Sequence, residues 1–474
     1  MERTVKTEEK KKKQFPHAFV VMLFAIIFCM ALTFILTPSA YDRVVVDGKT
    51  IVDAASFRYL EKTPITIQRI IAAALDVFEK IPAGFVDSGA NIWMMLFIGG
   101  FVKVYDSTGA IRAAITTLGD ILGEKNKKFV LVAIMFFFGC LGAFPGMLEA
   151  CIPFAPITLG ISLALGYDAL VGIFITLVAI TLGFGAGPTN VWNAGVGNQL
   201  SELPLFSGMS YRMFVFAVFM VAGAIWLLYY TNKITRDPSK SPIYDLDMSH
   251  LADIAKYERM AFTATHKVTL AIFVATIGML VFGSFKLSWG PVQMSTCYLI
   301  SAIICGVINR YDNVELVETY MEGARTMLVG AAAIGIARAI PLILSQGMIM
   351  DTIIHAAVQP LQGLSEIVTA SLMMVVQAGL NFLVPSSSGQ AMATLPLFLP
   401  IGDLVGLSRR VTTLAFQFGD SLSNLIYPTY GGLIAFLLYA KIPYNKWVKF
   451  IFPFIVYIYI ICMVLMTVAV LVNY

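Results

Sequence analysis

Three consecutive hydroxyl side chains lie at the centre of an apolar stretch of this 474-residue chain: Ser386, Ser387 and Ser388. Further along, Asp420 precedes Asn424 by four residues, again in apolar surroundings. Hydroxyl groups at the start of a helix suit a carboxylate, because the free backbone N–H groups and the positive dipole end favour an anion there. Serine is also a common N-cap, so simple capping is the alternative for these serines.

Three ionisable residues lie inside apolar runs, namely Glu149, Asp420 and Arg338. Such a residue is costly at membrane depth unless it is paired or hydrated, which makes each one a functional candidate. The apolar runs therefore contain two acidic residues and one basic residue. Glu149 or Asp420 could bind a proton, a sodium ion or a substrate ammonium. The alternative for Asp420 and Arg338 is a fixed structural ion pair.

Helix-breaking residues recur in register 240 positions downstream. The matched positions are Gly139, Pro145, Pro156, Leu159, Gly166, Val171, Pro188 and Thr189, which correspond to Gly379, Pro385, Pro396, Leu399, Gly406, Val411, Pro428 and Thr429. Irregular backbone survives at membrane depth only where protein or a wet cavity satisfies its polar groups, and paired interruptions indicate a transporter's binding site. Kinks in packed helices would explain one such segment but not a matched pair.

The composition places the chain in a lipid bilayer. It is 58% apolar and 13% charged, against roughly 25% charged residues in soluble domains. A spanning helix needs about 20 mainly apolar residues. Nine segments satisfy this requirement: 18–38, 88–106, 168–195, 209–231, 267–286, 291–310, 326–344, 408–440 and 447–472.

Two further apolar stretches, 127–166 and 364–406, have a central break at Pro145 or Pro385 and a glycine-rich return. We predict that each forms a re-entrant hairpin; the alternative is two more full spans in each stretch. The sequence therefore predicts an all-α polytopic membrane protein with about nine transmembrane helices and two hairpins.

The distribution of Lys and Arg predicts a cytoplasmic N-terminus. With that orientation the two hairpins enter from opposite sides, so the repeats are inverted. Each repeat would also contain an interfacial arm helix, near 66–82 or 312–325. The predicted organisation is a basic cytoplasmic segment 1–17, a first repeat 18–231, a cytoplasmic linker 232–266 and a second repeat 267–474.

Other classes of function find little support. The six cysteines have no CxxC spacing, the four histidines are scattered, and no phosphate-binding P-loop occurs, so we expect no cofactor, no metal beyond sodium and no ATP-driven pump. No histidine accompanies the serine run, which argues against a membrane-embedded hydrolase or another enzyme. The basic runs lack interleaved aromatic residues, which argues against nucleic acid. A channel stays open as an alternative.

The motifs around Ser386–Gly389, Phe418-Gly419-Asp420, Asn424 and Pro428-Thr429 resemble the YfcC branch of the DcuC-type family, C4-dicarboxylate anaerobic carrier-like proteins of the ion transporter superfamily. The likeness runs over most of residues 15–474. It implies a secondary carrier of the inner membrane, a homodimer whose scaffold domain is static while a transport domain moves like an elevator. Members are assigned C4-dicarboxylates or basic amino acids such as arginine and ornithine.

The chain departs from the family pattern at the first hairpin. Relatives have Gly-Met-x-Glu-Glu, whereas this chain has Glu149 followed by Ala150. If the second acid binds a cationic group of the substrate, its absence favours a less cationic substrate. Pro188 also stands where Thr or Ser is expected.

The sequence thus predicts a carrier of a small carboxylate-bearing metabolite, with sodium or a proton as the coupling ion. Trp192, beside Asn190, could stack on the substrate or lie in an interfacial belt. The predicted substrate ligands are Gly146, Glu149, Thr189, Asn190, Ser386, Ser387, Ser388, Gly389 and Thr429. The predicted coupling-ion ligands are Asn190, Asp420 and Asn424.

Overall fold

The computed structural model describes residues 18–46, 49–53, 55–148, 154–204, 206–246, 248, 261–287, 289–361 and 363–474. Most of these residues are helical. The helices of the first half are α1 (Ala18–Ile35), α2 (Ile67–Asp87), α3 (Gly89–Ser107), α4 (Ala110–Ala143), α5 (Ala155–Ala164), α6 (Ala169–Ile173), α7 (Ala179–Ala186), α8 (Val196–Leu200) and α9 (Met209–Arg236). Those of the second half are α10 (Ala264–Leu287), α11 (Pro291–Ile308), α12 (Asn313–Gln346), α13 (Met350–Val358), α14 (Glu366–Asn381), α15 (Ser387–Leu404), α16 (Arg409–Ser423), α17 (Gly431–Tyr439) and α18 (Tyr444–Leu471).

Short irregular elements join some of these helices. Phe174–Val178 and Val191–Gly195 are π-helical turns, and Pro238–Lys240 and Gln359–Leu361 are 3-10 turns. The first π turn makes Ala169–Ala186 one continuous span.

Among the described residues, six helices are long and apolar enough to cross a membrane, or seven if α2 and α3, which meet at a 62° bend, form one span. The prediction of a polytopic helical protein is therefore confirmed, while the count of nine spans is not reached. The predicted arm 312–325 and span 326–344 form the single helix α12, because no proline interrupts the chain between Asn313 and Pro341.

Residues 39–59, which follow the first predicted span, contain two small antiparallel ladders. Strand β1 (Ser39–Ala40) pairs with β4 (Arg58–Tyr59), and β2 (Arg43–Val46) pairs with β3 (Lys49–Val52). The segment is bound to α13: the Tyr41 backbone N–H donates to Asp351 Oδ2 at 2.9 Å, and Arg43 pairs with the same carboxylate. The three consecutive valines of β2, Val44–Val46, favour the extended conformation.

The two repeats share local structure at positions 240 residues apart. Gly166 and Gly406 both adopt the left-handed conformation, with φ of +85° and +87°. Two residues later, the side chains of Asp168 and Ser408 each cap the following helix by accepting a backbone N–H, from Val171 and Val411 respectively. The matched sequence positions therefore build the same turn and helix start twice.

The helices form two packed groups. In the first, α12 lies along α1, α2 and α3, and α11 packs against α3. In the second, α4 packs against α7 and α9, while α16 packs against α14, α15 and α18 as well as α7. Close contact requires glycine: a Cβ on Gly183 would lie 1.9 Å from the Gly139 carbonyl oxygen. Small residues are the usual means of bringing membrane helices together.

Candidate functional site

All four predicted interruptions fall between helices. Pro145 lies between α4 and α5, and Pro188 lies between α7 and α8. In the second half Pro385 separates α14 from α15, and Pro428 separates α16 from α17. The local sequence explains why the helices end here. Proline has no backbone N–H to donate, and glycine adopts turn conformations that other residues rarely adopt. Gly187, for example, ends α7 with φ of +44°.

Three of the four interruptions, together with Trp192 just after the fourth, border one cavity of about 350 Å³ between the two helix groups. This volume suits a small-molecule ligand. One wall comes from α3, α11, α12 and the end of α2: Asp87, Ser88, Asn91, Met94, Gly290, Pro291, Met294, Ile334, Ala337, Arg338 and Pro341. The other comes from the second group and from the start of α17: Gly146, Met147, Leu148, Phe184, Trp192, Pro385, Ser386, Ser387, Ser388, Asn424, Thr429, Tyr430 and Gly431.

Three hydroxyls of this cavity form no hydrogen bond with any described residue. Ser386 occupies the N-cap position of α15 but its side chain makes no capping bond. Ser388 likewise has no side-chain bond, and the Thr429 hydroxyl is buried without a partner. Capping does not explain these groups. Because the first turns of α15 and α17 line the same space, these hydroxyls lie beside two positive helix ends, which is a suitable environment for an anion.

Ser387 has a different role from its neighbours. Its hydroxyl donates to Asp420 Oδ2 at 2.5 Å, and the Asn193 amide donates to the same oxygen at 2.8 Å. Asp420 is fully buried and does not line the cavity. The serine therefore separates the cavity from a buried carboxylate that two neutral donors hold.

Asn381 connects that carboxylate to Asn424. The Asn381 amide nitrogen lies 2.8 Å from the backbone oxygen of Asp420 and 2.7 Å from Asn424 Oδ1. Three buried oxygens around this cluster have no hydrogen-bond donor among the described residues: Asn193 Oδ1, Asn381 Oδ1 and Asp420 Oδ1. Buried acceptors without donors are costly, so the cluster has spare capacity for a cation.

In the first repeat, Gly146 lines the cavity with φ of +73°. Asn190 lies behind it: a Cβ on Gly146 would meet Asn190 Oδ1 at 2.2 Å. The Asn190 Oδ1 atom accepts the backbone N–H of Trp192, two residues further along the chain, at 2.9 Å. The Asn190 side chain bonds neither Asp420 nor Asn424. Thr189 donates to the Phe144 carbonyl oxygen. Asn190 and Thr189 are thus adjacent to the site but do not line it.

Glu149 lies outside the described residues, directly after Leu148 of the cavity wall. Gly389 does not line the cavity, and a Cβ there would contact Ser386 Oγ at 3.2 Å. Of the predicted ligands, the structure brings Gly146, Asn424 and Thr429 to one cavity with Ser386–Ser388.

Arg338 does not pair with Asp420. Its Nε donates instead to Asp87 at the end of α2, and both side chains face the cavity. The alternative of an Asp420–Arg338 pair is therefore wrong. The reason is topological, since α12 lies against α2 on the wall opposite α16.

Sequence reasoning missed Asp87, Asn193 and Asn381 as members of the site. A polar residue in the apolar run of α14 was the available signal for Asn381, and Asp87 stands just before the predicted span 88–106. Neither signal identifies a partner, because the bonded residues are distant in sequence.

Comparison with known proteins places the chain in a family. The family model described as C4-dicarboxylate anaerobic carrier matches residues 15–471. The chain belongs to this C4-dicarboxylate anaerobic carrier family. The resemblance found in the sequence motifs is thereby confirmed, and the family describes a membrane transporter rather than an enzyme.

Two relatives align with this chain over nearly its full length. One, from Escherichia coli strain K12, is provisionally named basic amino acid antiporter YfcC; it is 28% identical over 94% of each chain. The other, an uncharacterized protein of Haemophilus influenzae, is 26% identical over 95% of this chain and 96% of its own.

Solved structures give weaker similarity. MtrF of Neisseria gonorrhoeae, described within a class of antimetabolite efflux pumps, has a TM-score of 0.46 and 18% identity, covering 98% of this chain and 96% of its own. The YdaH transporter of Alcanivorax borkumensis has a TM-score of 0.43 and 16% identity, covering 97% and 99%.

Proposed function

We propose that the protein is a secondary active transporter that carries a small carboxylate-bearing metabolite across the cytoplasmic membrane, with its N-terminus in the cytoplasm. One observation carries this proposal. The hydroxyls of Ser386, Ser388 and Thr429 have no partner among the described residues, yet they share one cavity with the first turns of two helices. A carboxylate accepts hydrogen bonds from hydroxyls and backbone N–H groups and is stabilised by the helix dipoles.

A sodium ion is the coupling ion that best suits the cluster behind Ser387. A proton on Asp420 would satisfy one oxygen, whereas the cluster contains three buried oxygens without donors, on Asn193, Asn381 and Asp420. Hard cations prefer several oxygen ligands, and the positive charge would neutralise a carboxylate that has no cationic partner among the described residues. Since Ser387 bonds Asp420 and lines the substrate cavity, occupation of one site affects the other.

The position of the cavity supports an elevator mechanism. Its two walls come from different helix groups, so that movement of the group containing α15 and α16 against the group containing α12 would carry the substrate with the serines. The scaffold would be the dimerising part. Apolar side chains exposed on α2, including Ile70, Leu75 and Phe78, are available to lipid or to a second copy.

Exchange of basic amino acids, the activity in the name of the E. coli relative, is the second candidate. It needs an acidic group for the substrate's second cation. Among the described residues of the cavity wall, Asp87 is the one acid, and it is bonded to Arg338. The described wall therefore favours the carboxylate end of either substrate over a second cationic group.

The test is a two-stage measurement on the purified full chain. Thermal-shift screening against C4-dicarboxylates and amino acids, with and without sodium, identifies stabilising ligands. Counterflow in proteoliposomes then measures transport of each. We expect at least one carboxylate to stabilise the protein more strongly in sodium and to show saturable counterflow, which also excludes a channel. Absence of counterflow for the whole panel would contradict the proposal.

A further inference from the structure

A second cavity, of about 190 Å³, lies between α1, α2 and α12 and shares no lining residue with the substrate cavity. We propose that it binds the phosphoethanolamine headgroup of a membrane phospholipid. We call it the headgroup pocket and define it by Phe34 of α1, Arg69 and Asp76 of α2, and Gln346 of α12. Nothing in transport of the substrate requires this pocket, so it is a separate binding site.

The headgroup pocket lies at the end of apolar helices. Helix α12 is one of the helices able to span a membrane, and Gln346 is its last residue. Helix α1 has 18 residues without a charge, and the pocket is lined by its last two turns. At 1.5 Å per residue α1 is about 27 Å long, close to the ~30 Å of the hydrocarbon core. The pocket is therefore at the level of the lipid headgroups.

The outward face of α2 can hold the acyl chains. Ile67, Ile70, Ile71 and Leu75 lie along the same stretch of α2 as the charged pocket residues, and each is at least half exposed. A helix with an apolar outer face and charged residues on another face suits the boundary between headgroups and acyl chains. A lipid could thus place its headgroup in the pocket and its chains on α2.

The Arg69 guanidinium is held in place with donors to spare. Its Cζ lies 5.2 Å from the centroid of the Phe34 ring, and its Nη1 donates to the Thr63 carbonyl oxygen. Its Nε and Nη2 form no hydrogen bond with a described residue. These nitrogens form a planar edge that binds a phosphate through two parallel hydrogen bonds. Arg69 is therefore the phosphate ligand.

Asp76 supplies the complementary charge. Its Oδ2 accepts a hydrogen bond from Gln346 Nε2 at 2.9 Å, and its Oδ1 has no donor among the described residues. Asp76 follows Arg69 by seven residues, which places both on one face of α2 about 10 Å apart along the helix axis. Neither forms an ion pair with a described residue, so the pocket has one positive and one negative group in need of partners.

This pair of charges distinguishes among lipid headgroups. Phosphoethanolamine offers a phosphate to Arg69 and an ammonium with N–H donors to Asp76. A phosphoglycerol headgroup has the phosphate but no cation, and its negative charge is repelled by Asp76. A phosphocholine headgroup has a cation without an N–H donor. The pocket therefore favours ethanolamine over both alternatives.

Native mass spectrometry of the purified, delipidated full chain tests the inference. Dioleoyl phosphatidylethanolamine, phosphatidylglycerol and phosphatidylcholine are added in separate titrations, and the lipid-bound fraction is measured for each. We expect ethanolamine lipid to bind the unmodified chain about tenfold more tightly than the other two, the usual effect of charge-assisted hydrogen bonds. Soluble phosphoethanolamine, which lacks acyl chains, should not displace the bound lipid at equal concentration.

Variants of the two charged residues assign the contacts. Arg69→Gln should lower the affinity for ethanolamine lipid by about tenfold, and Arg69→Lys should lower it less because the charge remains. Asp76→Asn keeps an acceptor for Gln346 and should reduce the preference for ethanolamine over glycerol headgroups to about one. Glu79→Gln, an exposed position of α2 outside the pocket, is the matched control and should leave affinity and preference unchanged.

The headgroup preference separates a binding role from a structural one, since a folding defect weakens all three lipids alike. Equal affinity of the unmodified chain for the three lipids would overturn the inference. An unchanged ethanolamine preference in Asp76→Asn would also overturn it, as would displacement of the lipid by soluble phosphoethanolamine at equal concentration. If Arg69→Gln does not fold, the preference measured in Arg69→Lys and Asp76→Asn decides the question.

Discussion

The Ser387 hydroxyl donates to Asp420 Oδ2 at 2.5 Å and so joins the tip of the second hairpin to the broken helix α16. One partner lines the cavity and the other is fully buried. A single hydrogen bond thereby connects the proposed carboxylate site to the proposed cation site.

Removing the Ser387 end of the connection together with the Asn424 amide should abolish transport. In Ser387→Ala with Asn424→Ala, the buried carboxylate loses a donor and the cavity loses two polar groups. Uptake of radiolabelled succinate in proteoliposomes should fall to background, while membrane insertion, measured by yield in the membrane fraction, stays normal. Ser365→Ala, an exposed serine at the start of α14, is the control. Near-normal uptake by the double variant would reject the site.

Asn381 should set the affinity for sodium rather than for substrate alone. Its amide bonds the Asp420 carbonyl oxygen and Asn424 Oδ1, and its own oxygen has no donor among the described residues. Asn381→Ala should raise the sodium concentration needed for half-maximal uptake by about tenfold or more. Asn309→Ala is a control, since Asn309 bonds Thr269 and Cys305 instead. Identical sodium dependence in both variants would argue against a cation at this cluster.

The tip of the first hairpin requires glycine for two separable reasons. Gly146 and Gly166 both have positive φ, but a Cβ at Gly146 would collide with Asn190 Oδ1, whereas none would be met within 4 Å at Gly166. Gly166→Ala should cost roughly 1–2 kcal/mol from backbone strain alone. Gly146→Ala should cost a further ~1–3 kcal/mol from overpacking. Chemical denaturation in detergent measures both, and equal costs would show that the close approach at Gly146 is unimportant.

The crossing of α4 and α7 supports the broken helix. A Cβ on Gly183 would lie 1.9 Å from the Gly139 carbonyl oxygen, a backbone atom that cannot rotate away. Gly183→Ala should therefore lose about 1–3 kcal/mol of stability. Gly278→Ala in α10 is the control, because no atom lies within 4 Å of its added Cβ. Should the two variants melt at the same temperature, the assigned contact between α4 and α7 would be wrong.

The sequence is informative where structure depends on local chain chemistry. Proline and glycine act on their own segment, so the breaks at Pro145 and Pro385 and the matched turns at Gly166 and Gly406 could be predicted. Pairing could not. Arg338 and Asp87 are 251 residues apart and Asn193 and Asp420 are 227 apart, so each partner depends on how whole helices pack.

The hydrogen-bond partners of the polar side chains at the site could not be predicted from the sequence for the same reason. The serine run predicted a cluster of hydroxyls, but only the packed structure separates Ser387, which bonds Asp420, from Ser386 and Ser388, which do not. Similarly, Asn190 has the residue type of an ion ligand, yet its side-chain oxygen caps the chain at Trp192. Residue type alone does not show where a side chain's hydrogen-bonding capacity goes.

Direct binding of radiolabelled succinate to a variant with Ser386→Ala, Ser388→Ala and Thr429→Val tests the central claim that these hydroxyls hold a carboxylate. The three changes remove side-chain oxygens that have no partner among the described residues, so the fold should tolerate them. We expect an unchanged melting temperature and a succinate affinity lower by about a hundred-fold or more. A correctly folded triple variant that binds succinate as tightly as the unmodified chain would contradict it.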